Sequence, residues 1–148
     1  MAAVLHPPRP MMRRGDGNPH GALLGLHILV VDDEADALAL FRTVLEYCGA
    51  LVTVASSALD AMAVLERLTP DVILTDVAMP GHDGYWLVSA VRALPADRGG
   101  TVPMIAITAY GEQHAPERTL SNGFQTHLRK PLDPWELCRS LGSITPRG

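Results

Sequence analysis

From residue 26 onward, short apolar runs alternate with stretches in which apolar positions recur every three or four residues. Residues 28–31, 51–55, 72–75 and 104–108 are of strand length and rich in β-branched side chains, and 126–129 forms a weaker fifth run. Between the first two runs, Leu38, Phe41, Leu45 and Cys48 fall at helical spacing and stop at Gly49, a residue suited to the turn that ends a helix. Ala58, Ala61, Leu65 and Leu68 repeat the pattern before Pro70, and residues 85–94 predict a third helix closed by Pro95. Gly111 and Pro116 confine a fourth helix to 115–122, ahead of Gly123. Residues 134–141 predict a fifth, with Asp133 as N-cap and Pro134 at the first helical position. This alternation predicts an α/β fold, a doubly wound parallel sheet covered on both faces and joined by right-handed crossovers.

Polar residues interrupt the pattern where such a sheet places its sites, beyond the C-terminal ends of the strands. Asp32 and Asp33 follow the first run, Asp76 follows the third, Thr108 ends the fourth and Lys130 follows the fifth. One such residue would be ordinary turn chemistry. Four strand ends that deliver three carboxylates, a hydroxyl and an ammonium to one edge predict a shared site instead.

Composition sharpens this reading. Of the 12 basic residues in the 148-residue chain, Lys130 is the only lysine and all the others are arginine. Lysine is a compact point charge on a mobile stem, whereas arginine is a planar fork, so the position of the single lysine matters. Residues 1–25 are rich in proline and glycine, carry Arg9, Arg13, Arg14 and Asp16, and read as a flexible tail or linker. The rest of the chain is acidic, which argues against nucleic acid as a partner. No window reaches the ~18 apolar residues of a membrane span, and prolines and arginines interrupt any signal-peptide core. Cys48 and Cys138, far apart and without a CxxC, read as reduced core residues of a cytoplasmic protein. The histidines, including His82, show no metal-ligand spacing, and the His82 side chain is expected to face solvent. Trp86 and Trp135, at helix starts, read as packing anchors, with Trp86 the better candidate for a partner contact.

The segments Ile28-Leu-Val-Val-Asp-Asp-Glu34, Val72-Ile-Leu-Thr-Asp-Val-Ala-Met-Pro-Gly-His-Asp-Gly84, Ile107-Thr-Ala109 and Arg129-Lys-Pro131 resemble the signatures of response-regulator receiver domains, the phosphoacceptor modules of two-component signalling. The resemblance spans 26–143, leaving 144–148 as a short C-terminal tail, and implies a flavodoxin-like (βα)5 sandwich with strand order 2-1-3-4-5. It implies that Asp76 accepts a phosphoryl group from a phosphohistidine on a histidine kinase or phosphotransfer protein. Asp33, Asp76 and the backbone carbonyl of Ala78 would bind Mg²⁺ or Mn²⁺, with Asp32 acting through water or as a further ligand. Lys130 and Thr108 would meet the phosphate oxygens, Pro131 would restrict the backbone aiming the lysine, and Gly81 and Gly84 would shape the loop after Asp76. Ala78 and Tyr110, two residues beyond Asp76 and Thr108, would flank the line of water attack, and their character predicts slow autodephosphorylation. Ala109 adjoins the hydroxyl. His127 stands where the family usually carries a switch aromatic, and reads more simply as a half-exposed edge-strand residue.

Output is expected through the face of the fourth helix, fifth strand and fifth helix, toward an unknown protein target, from a monomer or a weak dimer through that face. The chain is expected to be a stand-alone receiver or the terminal receiver of a hybrid kinase, and not an enzyme beyond its own phosphorylation and dephosphorylation. A phosphorylation-independent interaction module is the alternative. An aspartate-nucleophile phosphohydrolase would want a second aspartate where Ala78 stands, and a dinucleotide enzyme would want GxGxxG where Asp32-Asp33-Glu34 stands.

Overall fold

The computed structural model describes residues 21–109 and 116–144. Five strands, β1 (His27–Val31), β2 (Leu51–Ala55), β3 (Val72–Asp76), β4 (Met104–Thr108) and β5 (Thr126–Arg129), form one parallel sheet in the order β2-β1-β3-β4-β5. The helices are α1 (Ala35–Tyr47), α2 (Ala58–Leu65), α3 (Gly84–Arg92), α4 (Pro116–Ser121) and α5 (Pro134–Ile144), with a 3-10 turn at Ala96–Arg98. The architecture and strand order are those expected from the sequence, and element ends differ by only a few residues.

The central strands are apolar along their length because helices cover both faces. Strand pleating divides their side chains into two cores. Ile28, Val30, Val72, Leu74, Ile105 and Ile107 pack with Leu38, Phe41, Val44 and Leu45 of α1 and with Leu137, Cys138 and Leu141 of α5. Leu29, Val31, Ile73, Met104 and Ala106 point the other way, onto Ala58, Ala61 and Leu65 of α2 and Tyr85, Leu87, Val88 and Val91 of α3. Ser57 and Asp83 cap α2 and α3 by accepting hydrogen bonds from the Asp60 and Trp86 amides at 3.0 and 2.9 Å. Asp133 caps α5 through the Trp135 amide at 3.0 Å. Arg92, at the end of α3, donates to the carbonyls of Gly123, Gly100 and Val102 at 2.8–3.0 Å, which joins the segments before β4 and after α4.

Two expectations need correction. Residues 21–25, assigned to the N-terminal tail, form a turn that packs onto the domain. Leu23 is fully buried in the α1/α5 core, and its amide donates to the Cys48 carbonyl at 2.9 Å. The remainder of that tail, and 145–148 at the other end, lie outside the described residues. Cys48 and Cys138, expected as free thiols, are joined as a disulfide with their Cα atoms 6.7 Å apart. The strand order is the reason: α1 and α5 lie side by side on one face although 90 residues separate the two cysteines.

If the folded unit begins before residue 26, Leu23→Ala should destabilise it by about 2–5 kcal/mol, the cost of a cavity at a fully buried leucine. Urea titration of the full chain measures this; a loss below about 0.5 kcal/mol, as for an exposed position, would put Leu23 outside the core.

Candidate functional site

The predicted polar residues converge at the C-terminal edge of the sheet because extensions of the parallel ladders hold their backbones there. The Asp32 amide donates to Ala55 O at 3.1 Å, Val77 to Ile107 O at 3.1 Å, and Lys130 to Thr108 O at 2.7 Å. Carboxylate oxygens of Asp32, Asp33 and Asp76 lie within 4.8 Å of one another. Asp32 and Asp76 are buried and Asp33 is exposed. Lys130 Nζ stands 3.7 Å from Asp76 Oδ1, which also accepts from the Ala78 amide at 3.3 Å. The lysine side chain is 39% exposed, so solvent screens the pair and leaves the ammonium room to move. Thr108 is buried at the end of β4 and donates to Leu128 O at 3.4 Å. The Lys130–Pro131 peptide bond is cis.

The two loop glycines answer different demands. Gly81 has φ +76°, a conformation that costs glycine little. Gly84 has an ordinary φ, but a Cβ there would stand 2.8 Å from Asp76 O and from Val77 Cα. The loop therefore closes tightly under the aspartate, with the Gly84 amide donating to Val77 O at 2.9 Å.

A divalent cation fits this arrangement. One Asp32 oxygen accepts from the Glu34 amide at 3.0 Å, while the other, Oδ2, is buried with no hydrogen-bond partner. A buried carboxylate oxygen without a partner is costly unless a cation or water meets it. Three carboxylates with the exposed Ala78 beside them form the few-ligand, oxygen-only set that suits a hard cation retaining much of its water. Burial raises the pKa of Asp32 above its ordinary value, opposed by the Glu34 amide and Lys130 and reinforced by Asp33 and Glu34. Burial likewise raises Asp76, opposed by Lys130 and reinforced by Asp32.

The other expected residues are placed as follows. Ala109 is half-buried beside Thr108, and Tyr110 lies outside the described residues. His127 is half-buried on β5 and pairs with Ala106 of β4. His82 is exposed, as expected, but its ring stacks on Trp86 with centroids 4.1 Å apart, which makes an aromatic platform on the loop after β3. Trp135 packs edge-on against Tyr47 at 5.5 Å. A groove of about 560 Å³ beside the site had no counterpart in the sequence reading; Ala37, Leu40 and Phe41 of α1 line it with Lys130, Pro131 and Leu132. Its signal was available in Leu40, an apolar residue on the otherwise polar side of α1 that is 45% exposed.

Comparison with known proteins gives this edge of the sheet a family. The response regulator receiver domain model matches residues 28–141, and the chain belongs to that family. It is a signalling domain of two-component systems rather than a conventional enzyme. An uncharacterized 14.6 kDa protein of Leptolyngbya boryana is 47% identical over 79% of this chain and 88% of its own length. Response regulator SaeR of Staphylococcus aureus is 31% identical over 82% of this chain, which spans only 51% of SaeR. The chemotaxis protein CheY4 of Vibrio cholerae superposes with a TM-score of 0.74 at 26% identity, covering 80% of this chain and 98% of that one.

The raised pKa values carry a stability consequence. A carboxyl whose folded pKa lies above its unfolded value stabilises the fold fully below the unfolded value, near 3.8, and loses that contribution as pH rises through the folded value. At neutral pH without divalent metal, Asp32→Asn should therefore raise stability. Melting curves across pH check this: the gain should shrink toward pH 4 and with added Mg²⁺, and a variant less stable at pH 7 would contradict it.

Proposed function

We propose that this chain is the phosphoacceptor of a two-component relay, with Asp76 as the residue that takes the phosphoryl group. The observation that carries the reading is the placement of the Asp76 carboxylate, buried between two further aspartates and 3.7 Å from Lys130. Phosphoryl transfer asks a protein for position and charge neutralisation more than for covalent work. The Ala78 amide and Lys130 both address Asp76 Oδ1, which leaves the second oxygen to attack. In the transfer, the P–N bond of a phosphohistidine breaks as a P–O bond to Asp76 forms. The imidazole departs with a proton from solvent and Asp76 is left as an acyl phosphate.

Asp33, Asp76 and the Ala78 carbonyl would hold Mg²⁺ or Mn²⁺, with Asp32 as a further or water-mediated ligand. The cation supplies charge neutralisation for the incoming phosphoryl oxygens. Lys130 then moves from Asp76 onto a phosphate oxygen, and the Thr108 hydroxyl leaves Leu128 O to donate to another. That exchange pulls the end of β4 against β5 and reaches the face of α4, β5 and α5, where a protein target is read. His127 lies on that strand. The donor is a histidine kinase or phosphotransfer protein, and the apolar groove that ends at Lys130 gives its phosphohistidine-bearing element a seat beside Asp76. The chain acts in the cytoplasm, and its domain runs from about Leu23 to the end of α5. We further propose that Ala78, with no group to orient water, and Tyr110 give a long-lived phosphoryl group.

Incubation with a small acyl phosphate and Mg²⁺ should add one phosphoryl group per chain, with loss of labelling on chelation or in Asp76→Asn. Continuous release of phosphate with no phosphorylated chain accumulating would favour a hydrolase instead, and labelling that survives Asp76→Asn would remove the assigned acceptor. Lys130→Arg keeps the charge but replaces a point with a fork. It should be phosphorylated still, while the phosphorylation-dependent change in amide exchange over β5 and α5 weakens by at least half; a full-sized change in the variant would show that lysine chemistry is not needed.

A further inference from the structure

The phosphoryl chemistry does not use the Cys48–Cys138 disulfide. Its position is specific. Cys48 caps the C-terminal end of α1 and Cys138 lies just over one turn into α5, so the bond clamps together the two helices that share a face of the sheet. Of the two, α1 lines the groove beside Lys130 with Ala37, Leu40 and Phe41, and the segment that precedes α5 adds Pro131 and Leu132. Only Pro131, Leu132 and Asp133 separate Lys130 from the first residue of α5. The clamp therefore acts on the helix that directly follows the site lysine.

Folding does not call for this bond. Disulfides are needed where a small domain cannot build enough core. Here two cores pack the two faces of the sheet, and α1 and α5 already share Phe41, Val44, Leu45, Leu137 and Leu141 as well as the Tyr47–Trp135 contact. Two thiols would sit in the same apolar space as small hydrophobic side chains. Both redox forms are thus compatible with the fold, and they differ in how firmly α5 is held.

We propose that Cys48 and Cys138 form a thiol–disulfide exchange site that takes a dithiol reductant, and that reduction releases α5 from α1 without unfolding the domain. The step is balanced by the reductant. One thiolate of the dithiol attacks a sulfur of the pair and the S–S bond breaks to give a mixed disulfide and one protein thiol. The second thiol of the reductant displaces the other protein sulfur, so the protein gains two electrons and two protons and the reductant leaves as its own disulfide. Both sulfurs belong to fully buried residues. Attack therefore passes through local opening of α5 or of the segment over it, where Ala22 O lies 3.4 Å from the Cβ position of Gly142 and the Leu23 amide bonds to Cys48 O.

The test uses the full chain and dithiothreitol. Protein isolated without reductant and denatured in an alkylating agent should take up no label, and after dithiothreitol both cysteines should be labelled. In the folded protein, amide exchange in α5 and the last turn of α1 should quicken by about tenfold on reduction, with α2 and α3 unchanged. Two alkylatable thiols before reduction would overturn the proposal. So would unchanged exchange in α5, or a uniform rise across the domain, which would make the bond a staple for folding. Cys48→Ala should match the reduced protein and ignore dithiothreitol; if that variant does not fold, the wild-type comparison alone decides. Asp76→Asn protein should respond to dithiothreitol as the wild type does, so this result and the phosphoacceptor reading stand or fall separately.

Discussion

The parallel register of the sheet is the constraint on which everything else depends. Because β1, β3, β4 and β5 all run the same way, their C-terminal ends share one edge, and residues far apart in sequence arrive there without any loop having to reach. The backbone bonds that end the ladders set the spacing: Lys130 is pinned to Thr108 and Val77 to Ile107. A strand in the opposite sense would carry its polar terminus to the far side of the molecule. The same register requires crossover helices on both faces, and this is why the central strands must be apolar on both sides and why two cores exist.

That edge concentrates charge the interior would otherwise reject. Asp32 and Asp76 are buried beside each other, and burial is the main reason both carboxyls resist ionisation. Lys130 offsets part of this cost. Being partly exposed and 3.7 Å from Asp76, it does so without the fixed geometry a buried ion pair would need. A site built this way is poorly satisfied when empty. The unpartnered Asp32 Oδ2 is the clearest sign, and a cation or an added phosphoryl group changes the local balance more than either would on an open surface.

The fold and the gathering of the site residues were legible in the sequence for one physical reason. In a doubly covered parallel sheet the strands are continuous apolar runs, and a carboxylate or lysine that directly follows such a run lies at the site edge by construction. What escaped had no such link to chain order. Leu23 belongs to a glycine-bounded stretch with neither strand nor helix periodicity, so its burial depends wholly on α1 and α5 being in place. The separation of the two cysteines in sequence carries no information about proximity once strand order brings the first and last helices together. Arg92 looks like an ordinary helix-end arginine, yet it binds three backbone carbonyls, and carbonyls have no sequence signature. The His82–Trp86 stack joins residues four apart across the start of α3, a spacing read for each residue separately and not for the pair.

The same topology sets α5 directly after the site edge and against α1. The helix begins four residues after Lys130, which itself directly follows β5, so the backbone of the lysine leads into its first turn. It packs on α1, whose Ala37, Leu40 and Phe41 line the groove beside the site. The disulfide lies in that interface and not between α5 and the sheet. It therefore resists separation of α5 from α1 while leaving the β4–β5 edge, where Thr108 and Lys130 are joined, under noncovalent control. A single bond in that position restrains α5 without touching Asp76, Thr108 or Lys130.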